Sequence, residues 1–283
     1  MPELIDLLHL GRLRVVGAWL LAGDEPALVD CGPSSCIGAL EAGLAAHGLA
    51  VQDLRHLILT HIHLDHAGAA GLLARRNPAL QIHVSEIGAP HLVAPERLER
   101  SARRLYGEDF DRLWGALLPV PEDRVQVVGE SILGLEAFST PGHASHHVSF
   151  LDSEGACYAG DVAGIRVPPS AYAAPVTPPP DVDLEAWSAS LDAILARRPG
   201  RLLLAHFGSV EDPERHIAEL RERLAAWSER VRYGASEEDF VRAAEAELEG
   251  EPELVEAYRQ AGPLWQSYAG LDRYWRKFDK AQA

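Results

Sequence analysis

The chain has 283 residues, 42 Asp and Glu against 26 Lys and Arg, and a formal charge of -16. That length suits one large layered domain, and the acidic excess opposes a phosphate backbone, so nucleic acid is not an expected partner. No apolar run reaches the roughly 18 residues of a membrane span, the first residues lack a basic leader, and the three cysteines show no C-x-x-C spacing. A cytoplasmic protein with no membrane partner and no thiolate metal site is expected.

In chain order, short apolar runs bounded by Gly, Pro or Asp predict strands. ALVD, ending at Asp30, comes first, followed by a helix over CIGALEAGLAAHG. The run HLILT leads into a helix over AGAAGLLARR that Asn77-Pro78 stops, and QIHVS is the next strand. In the segment from Ala94 to Leu118, Tyr106, Phe110 and Trp114 are spaced by four, which predicts one helical face turned to the core. His83 and His91, which precede this segment, are read as ordinary histidines. VQVVG, LEAFS, HHVSFLD and ACYAGD complete a run of strands. A proline-rich loop then precedes the helix LEAWSASLDAILARR, whose Trp187, Leu191, Ile194 and Leu195 share a face, and RLLLAHFG is the last strand. From about residue 210 the chain is rich in Ala, Leu, Glu and Arg without strand signals. The expected organisation is a layered α/β domain over 1–209 and a helical extension over 210–283 packed on it.

The stretch THIHLDHAG, Thr60 to Gly68, crowds His61, His63, Asp65 and His66 directly after an apolar run. His61 and His63 are two apart, so on an extended segment their rings point the same way and one ion could take both. Asp65 and His66 fall where a helix begins and diverge enough to address a second ion. An aspartate there can also simply cap a helix. Three distant runs end in further donors: LEAFSTPGH in His143, ACYAGD in Asp161 and RLLLAHFG in His206. Donors gathered at strand ends are what layered α/β sites use.

With these motifs the chain resembles the metallo-β-lactamase-fold metallohydrolases. THIHLDHAG, TPGH, AGD and AHFG stand in that family's order, and LVDCGPSS stands where the family usually has an Asp-Thr-Gly turn. The resemblance runs from about residue 12 to 208. It implies a four-layer αββα sandwich with the metals at one edge of the two sheets. It further implies one metal on His61, His63 and His143, a second on Asp65, His66 and His206, Asp161 bridging the two, and Asp30 bracing a ligand or a loop. The branch it points to is the single-domain one that includes glyoxalase II and lactonases. There the stretch after the TPGH histidine resembles T-P-G-H-T-x-G-H, so His147 matches the second histidine and His146 replaces a glycine. His147 is expected either to orient a ligand or anchor the loop by hydrogen bonding, or to be purely structural, and for His146 a place facing the substrate mouth is the minor reading.

The nitrogen and carboxylate ligands imply two divalent metal ions, zinc first, with iron or manganese as alternatives. The expected activity is hydrolysis of a small ester, lactone or thioester by a hydroxide bridging the metals. Asp65, Asp161 and Tyr172 are the expected catalytic residues. Tyr172 is the only phenol in the loop Val162 to Asp183, which follows Asp161 and is expected to cover the metals. The alternative is a mononuclear iron oxidoreductase resembling the persulfide dioxygenases. An RNA-processing nuclease ranks last, because the chain has only two lysines and no basic patch with interleaved aromatics. Cys157 is read as a small core residue, no G-x-S-x-G elbow competes, and the tail GLDRYWRKFDK does not reproduce the glutathione grip of glyoxalase II. The expected partner is a small-molecule substrate, and a homodimer is left open.

Overall fold

A computed structural model describes residues 1–248 and 252–282. Contacts divide the chain into two units, Met1–Phe138 and Ser139–Ala283. The first unit opens with strands β1 (Glu3–Asp6), β2 (Gly17–Leu21) and β3 (Ala27–Val29), then helix α1 (Ile37–Ala46), β4 (His56–Ile58), α2 (Leu64–Ala67), α3 (Ala70–Arg76) and β5 (Gln81–Val84). It continues through α4 (Ala89–Val93), α5 (Glu96–Tyr106), α6 (Phe110–Trp114), β6 (Val125–Val127), β7 (Ser131–Ile132) and β8 (Leu135–Ser139).

The first sheet has the order β1-β2-β3-β4-β5-β6, with the β1-β2-β3 pairings antiparallel and those from β3 to β6 parallel. The parallel strands β3 and β4 read as nearly unbroken apolar runs because helices cover such strands, and Leu28 and Leu57 are fully buried along with Leu40, Leu44 and Leu73 of the helices. Their register pairs Val29 with Ile58. Asp30 and Leu59 therefore leave the sheet together, and the Asp30 N–H donates to the Ile58 carbonyl at 2.9 Å.

One local expectation is corrected. Tyr106, Phe110 and Trp114 do not lie on one continuous helix, because Gly107 takes φ 57 and ends α5 before the chain re-enters α6. The three rings still converge: Phe110 is fully buried, Tyr106 and Trp114 pack beside it, and the Tyr106 and Trp114 rings meet edge to face at 5.1 Å.

The second unit contains β9 (Val148–Leu151), β10 (Ala156–Tyr158), α7 (Leu184–Ala196), β11 (Arg201–Leu204), β12 (Gly208–Val210), α8 (Pro213–Arg232), α9 (Glu237–Glu247), α10 (Pro252–Ala261) and α11 (Leu264–Gln282). The second sheet has the order β12-β11-β10-β9-β8-β7, and the division between the units falls inside β8. Strand β10 runs parallel to β11, as a strand pair joined through a crossover helix must, and antiparallel to β9. Trp187, Leu191 and Ile194 on α7 are buried, as their spacing predicts. Among the described residues past 210 the chain is helical apart from short connections, as expected, and the tail helices share a unit with β9 to β12. Asp212 and Ser236 cap α8 and α9 by accepting the Arg215 and Asp239 N–H groups. Trp227, Phe240, Leu271 and Tyr274 form the tail's core with Val182 from the proline-rich loop. Two mixed sheets with helices and a helical C-terminal region match the expected α/β class.

One half-buried and one buried histidine make stability depend on acidity. Burial, with His56 3.0 Å away as a second cause, pushes His83 down to about 4; burial likewise lowers His216, whose ring N–H donates to the Ala163 carbonyl, to about 4. An unfolded histidine titrates near ~6.5, so below that pH the unfolded chain takes up protons that the folded chain refuses. Stability is expected to be full above pH ~6.5 and to fall steadily toward pH ~4. Urea unfolding at a series of pH values checks this, and His83→Gln should make the fall shallower.

Candidate metal centre

In the first unit the donors follow β4. The chain bends at Thr60 and passes His61, and His63, in an extended conformation, sits immediately before α2, which carries Asp65 and His66. Asp30, buried at the end of β3 with φ 60, organises this stretch. Its Oδ1 accepts the Thr60 N–H at 2.9 Å, and its Oδ2 accepts the Thr60 hydroxyl at 2.8 Å and the His66 Nδ1–H at 2.8 Å. With its own proton on Asp30, the Thr60 hydroxyl accepts from His61 Nδ1 at 3.0 Å. Both His61 and His66 thus carry their proton on Nδ1 and present Nε2 as a lone pair, which is the form a metal needs.

The donors of this unit sort into two groups, His61 with His63 and Asp65 with His66. His61 Nε2 and His63 Nδ1 are 3.1 Å apart with the rings nearly perpendicular, a separation at which two lone pairs need a proton or a cation between them. His66 Nε2 lies 3.9 Å from Asp65 Oδ2.

In the second unit, sheet register brings the donors together. Tyr158 pairs with Leu203 in the parallel β10-β11 ladder, and Asp161 and His206 each follow three residues later, so both emerge at the same sheet edge. Antiparallel β9 begins there too, which brings in the preceding His143 to His147 turn. His143 Nδ1–H donates to the Val176 carbonyl at 2.8 Å, leaving Nε2 3.5 Å from Asp161 Oδ2, while His206 Nε2 lies 3.6 Å from Asp161 Oδ1. Each oxygen of Asp161 thus faces a different histidine. The Trp187 ring stands edge-on to His143 at 5.8 Å, and its N–H donates to the Val162 carbonyl next to Asp161 at 2.7 Å. The donor sets contain nitrogen and carboxylate oxygen without thiolate, a chemistry that fits zinc, iron or manganese.

His147 is fully buried. Its Nε2 accepts the Asp161 N–H at 3.2 Å, and its Nδ1 meets the Thr140 hydroxyl at 2.8 Å, which in turn bonds Ser149 at 2.8 Å. The ring orients the segment that carries Asp161. His146 is also buried, and Cys157 is a core residue of β10. His83 pairs with His56 and His91 lies in α4; neither joins the donor groups found among the described residues.

Tyr172 is directed elsewhere than its expected catalytic role requires. Its hydroxyl donates to Glu247 Oε2 at 2.8 Å, its ring packs against Tyr258, and Arg223 lies 4.1 Å over the ring. Burial, then the Glu247 bond, raises its phenol well above the ordinary tyrosine value, so it acts as a neutral donor to the tail helices. Sequence reasoning missed Thr60 and the Val176 carbonyl, which hold donor histidines in place, and Thr140 and Ser149, which hold His147. For Thr60 the only signal was a hydroxyl directly before the first histidine.

The family model described as Metallo-beta-lactamase superfamily matches residues 11–206. The Metallo-beta-lactamase fold-containing protein ST1585 of Sulfurisphaera tokodaii is 25% identical over 219 residues, covering 73% of this chain and 79% of that protein. The crystal structure of ST1585 superposes with a TM-score of 0.69 at 21% identity over 95% of this chain and 97% of that chain, which shows a shared fold. A hydroxyacylglutathione hydrolase from Acidiphilium cryptum is 33% identical over 146 residues, 51% of this chain, and the match spans about half of that enzyme, 47%. The di-iron-bound form of TTHA1623 superposes with a TM-score of 0.54 at 25% identity, covering 72% of this chain and 91% of that chain.

The supporting hydrogen bonds predict graded effects. Removing a group that only orients a ligand typically weakens metal binding about 10 to 100-fold. Asp30→Asn and His147→Ala should each fall in that range in competition with a chromophoric chelator. A His147→Ala protein as depleted as His143→Ala would make His147 a ligand.

Proposed function

The chain belongs to the metallo-β-lactamase superfamily, and on that premise we propose that it is a dinuclear zinc hydrolase of a small ester, lactone or thioester. In this reading His61, His63 and His143 hold one ion, Asp65, His66 and His206 hold the other, and Asp161 touches both. The observation that carries it is the placement of Asp161, whose two oxygens each face a different histidine at 3.5 and 3.6 Å. A carboxylate serving one ion has no need of that arrangement. Further support comes from the two donor groups of the first unit and from the tautomers set by Asp30, Thr60 and Val176.

When bound, such ions supply Lewis acidity and a water whose pKa falls to about 7. The residues of the chain supply geometry around that chemistry. Asp30 holds His66 and, through Thr60, His61, so that neither ring is free to rotate its Nε2 lone pair away. His147 fixes the main chain at Asp161, and the Val176 carbonyl keeps the His143 proton on Nδ1. The match to a hydroxyacylglutathione hydrolase favours a carbonyl substrate, with thioesters among the first to try. Iron is the second reading for the metal, favoured by the likeness to the di-iron form of TTHA1623.

Elemental analysis of protein purified without added metal should find close to two divalent ions per chain, zinc foremost. Asp161→Ala should lower occupancy at both positions, and the loss of one ion only would refute the bridge. Hydrolysis across an ester, lactone and thioester panel should rise with pH through an apparent pKa near ~7 and stop on chelation. A single iron with no hydrolysis would place the oxidoreductase reading first.

A further inference from the structure

The proline-rich segment between Asp161 and α7 is held by the tail helices at three places. Near its start, the Val167 N–H donates to the Tyr258 hydroxyl at 3.0 Å, and that hydroxyl donates to the Tyr172 carbonyl at 2.6 Å. In its middle, the Tyr172 hydroxyl reaches Glu247, whose carboxylate also accepts from Trp227 Nε1 at 3.3 Å and pairs with Arg230. The third hold, on Thr177, bears directly on a donor histidine.

Thr177 and Ser267 are both buried, Ser267 being on α11. The Thr177 hydroxyl donates to the Ser267 carbonyl at 2.9 Å, and the Thr177 N–H donates to the Ser267 hydroxyl at 3.4 Å. That N–H belongs to the same peptide unit as the Val176 carbonyl, and the carbonyl accepts the His143 Nδ1–H at 2.8 Å. A peptide unit is planar and rigid, so fixing one edge fixes the other. Donation from its N–H also polarises its carbonyl and strengthens it as an acceptor. Gly270, three residues from Ser267 and so on the same face of α11, permits the approach: a methyl there would lie 1.9 Å from the Thr177 carbonyl oxygen.

We infer that α11, through Ser267 and Thr177, is a positioning element for His143, setting which nitrogen carries the proton and where the lone pair points. The inference rests on the reading of His143 as a metal ligand. It gives the helical tail a part in metal affinity, conveyed by one amide plane.

The test compares Thr177→Val, Thr177→Ser, Ser267→Ala, Gly270→Ala and His143→Ala with the parent protein, all full length. Affinity for Zn²⁺ is read by chelator competition well below the unfolding midpoint, together with the visible spectrum after Co²⁺ substitution. Thr177→Val and Gly270→Ala should weaken one of the two ions roughly 10-fold or more and alter its cobalt bands, and Thr177→Ser should restore both readouts. Ser267→Ala, the mildest change, serves if either of the others fails to fold. A merely structural tail would lower the unfolding midpoint and leave affinity and spectrum unchanged; that result, with His143→Ala losing one ion, overturns the inference alone. Retention of both ions by His143→Ala would overturn the metal reading and this inference together.

Discussion

A histidine can offer a lone pair at a chosen nitrogen only when its proton is held on the other one, and much of the surrounding structure serves that condition. Asp30 accepts from His66 and from Thr60, and Thr60 accepts from His61, so one carboxylate decides the tautomer of two rings. A buried carboxylate would be costly without donors, and here a main-chain N–H, a hydroxyl and an imidazole N–H supply them. The parallel β3-β4 register makes this possible, because it delivers Asp30 beside the end of β4. The φ of 60 at Asp30 is a conformation that aspartate tolerates better than most side chains.

The second unit meets the same condition by different means. Its donors come from three separate strand ends, so register rather than a contiguous motif assembles them. The Asp161 main chain is held by an imidazole, and the His143 proton by a carbonyl. The two units thus divide the work between a carboxylate relay on one side and main-chain groups on the other.

Much of this was legible in the sequence. Buried parallel strands cannot alternate apolar and polar residues, so runs such as HLILT and RLLLAHFG announce β4 and β11 directly. The short strands β1, β7 and β12 were not legible: ELID mixes charged and apolar residues, β7 has two residues, and GSV carries two small ones. Within the site the side-chain donors could be read, since a histidine is visible as a letter. The groups that orient them could not, because the Val176 carbonyl is common to every residue type and Ser267 is 90 positions from the threonine it meets. Tyr172 shows the converse limit. A lone phenol in a loop after a donor residue says nothing about direction, and Glu247, 75 positions away, supplies it.

The use of a main-chain carbonyl by His143 has a consequence for how such a loop can diverge. Every amino acid at position 176 offers the same acceptor, so the orientation of the His143 ring is insulated from the identity of the residue beneath it. Selection can exchange the loop's side chains while the His143 Nε2 keeps its orientation. What must be preserved is the path of the backbone, and a run of prolines on either side restricts that path without specifying any side chain.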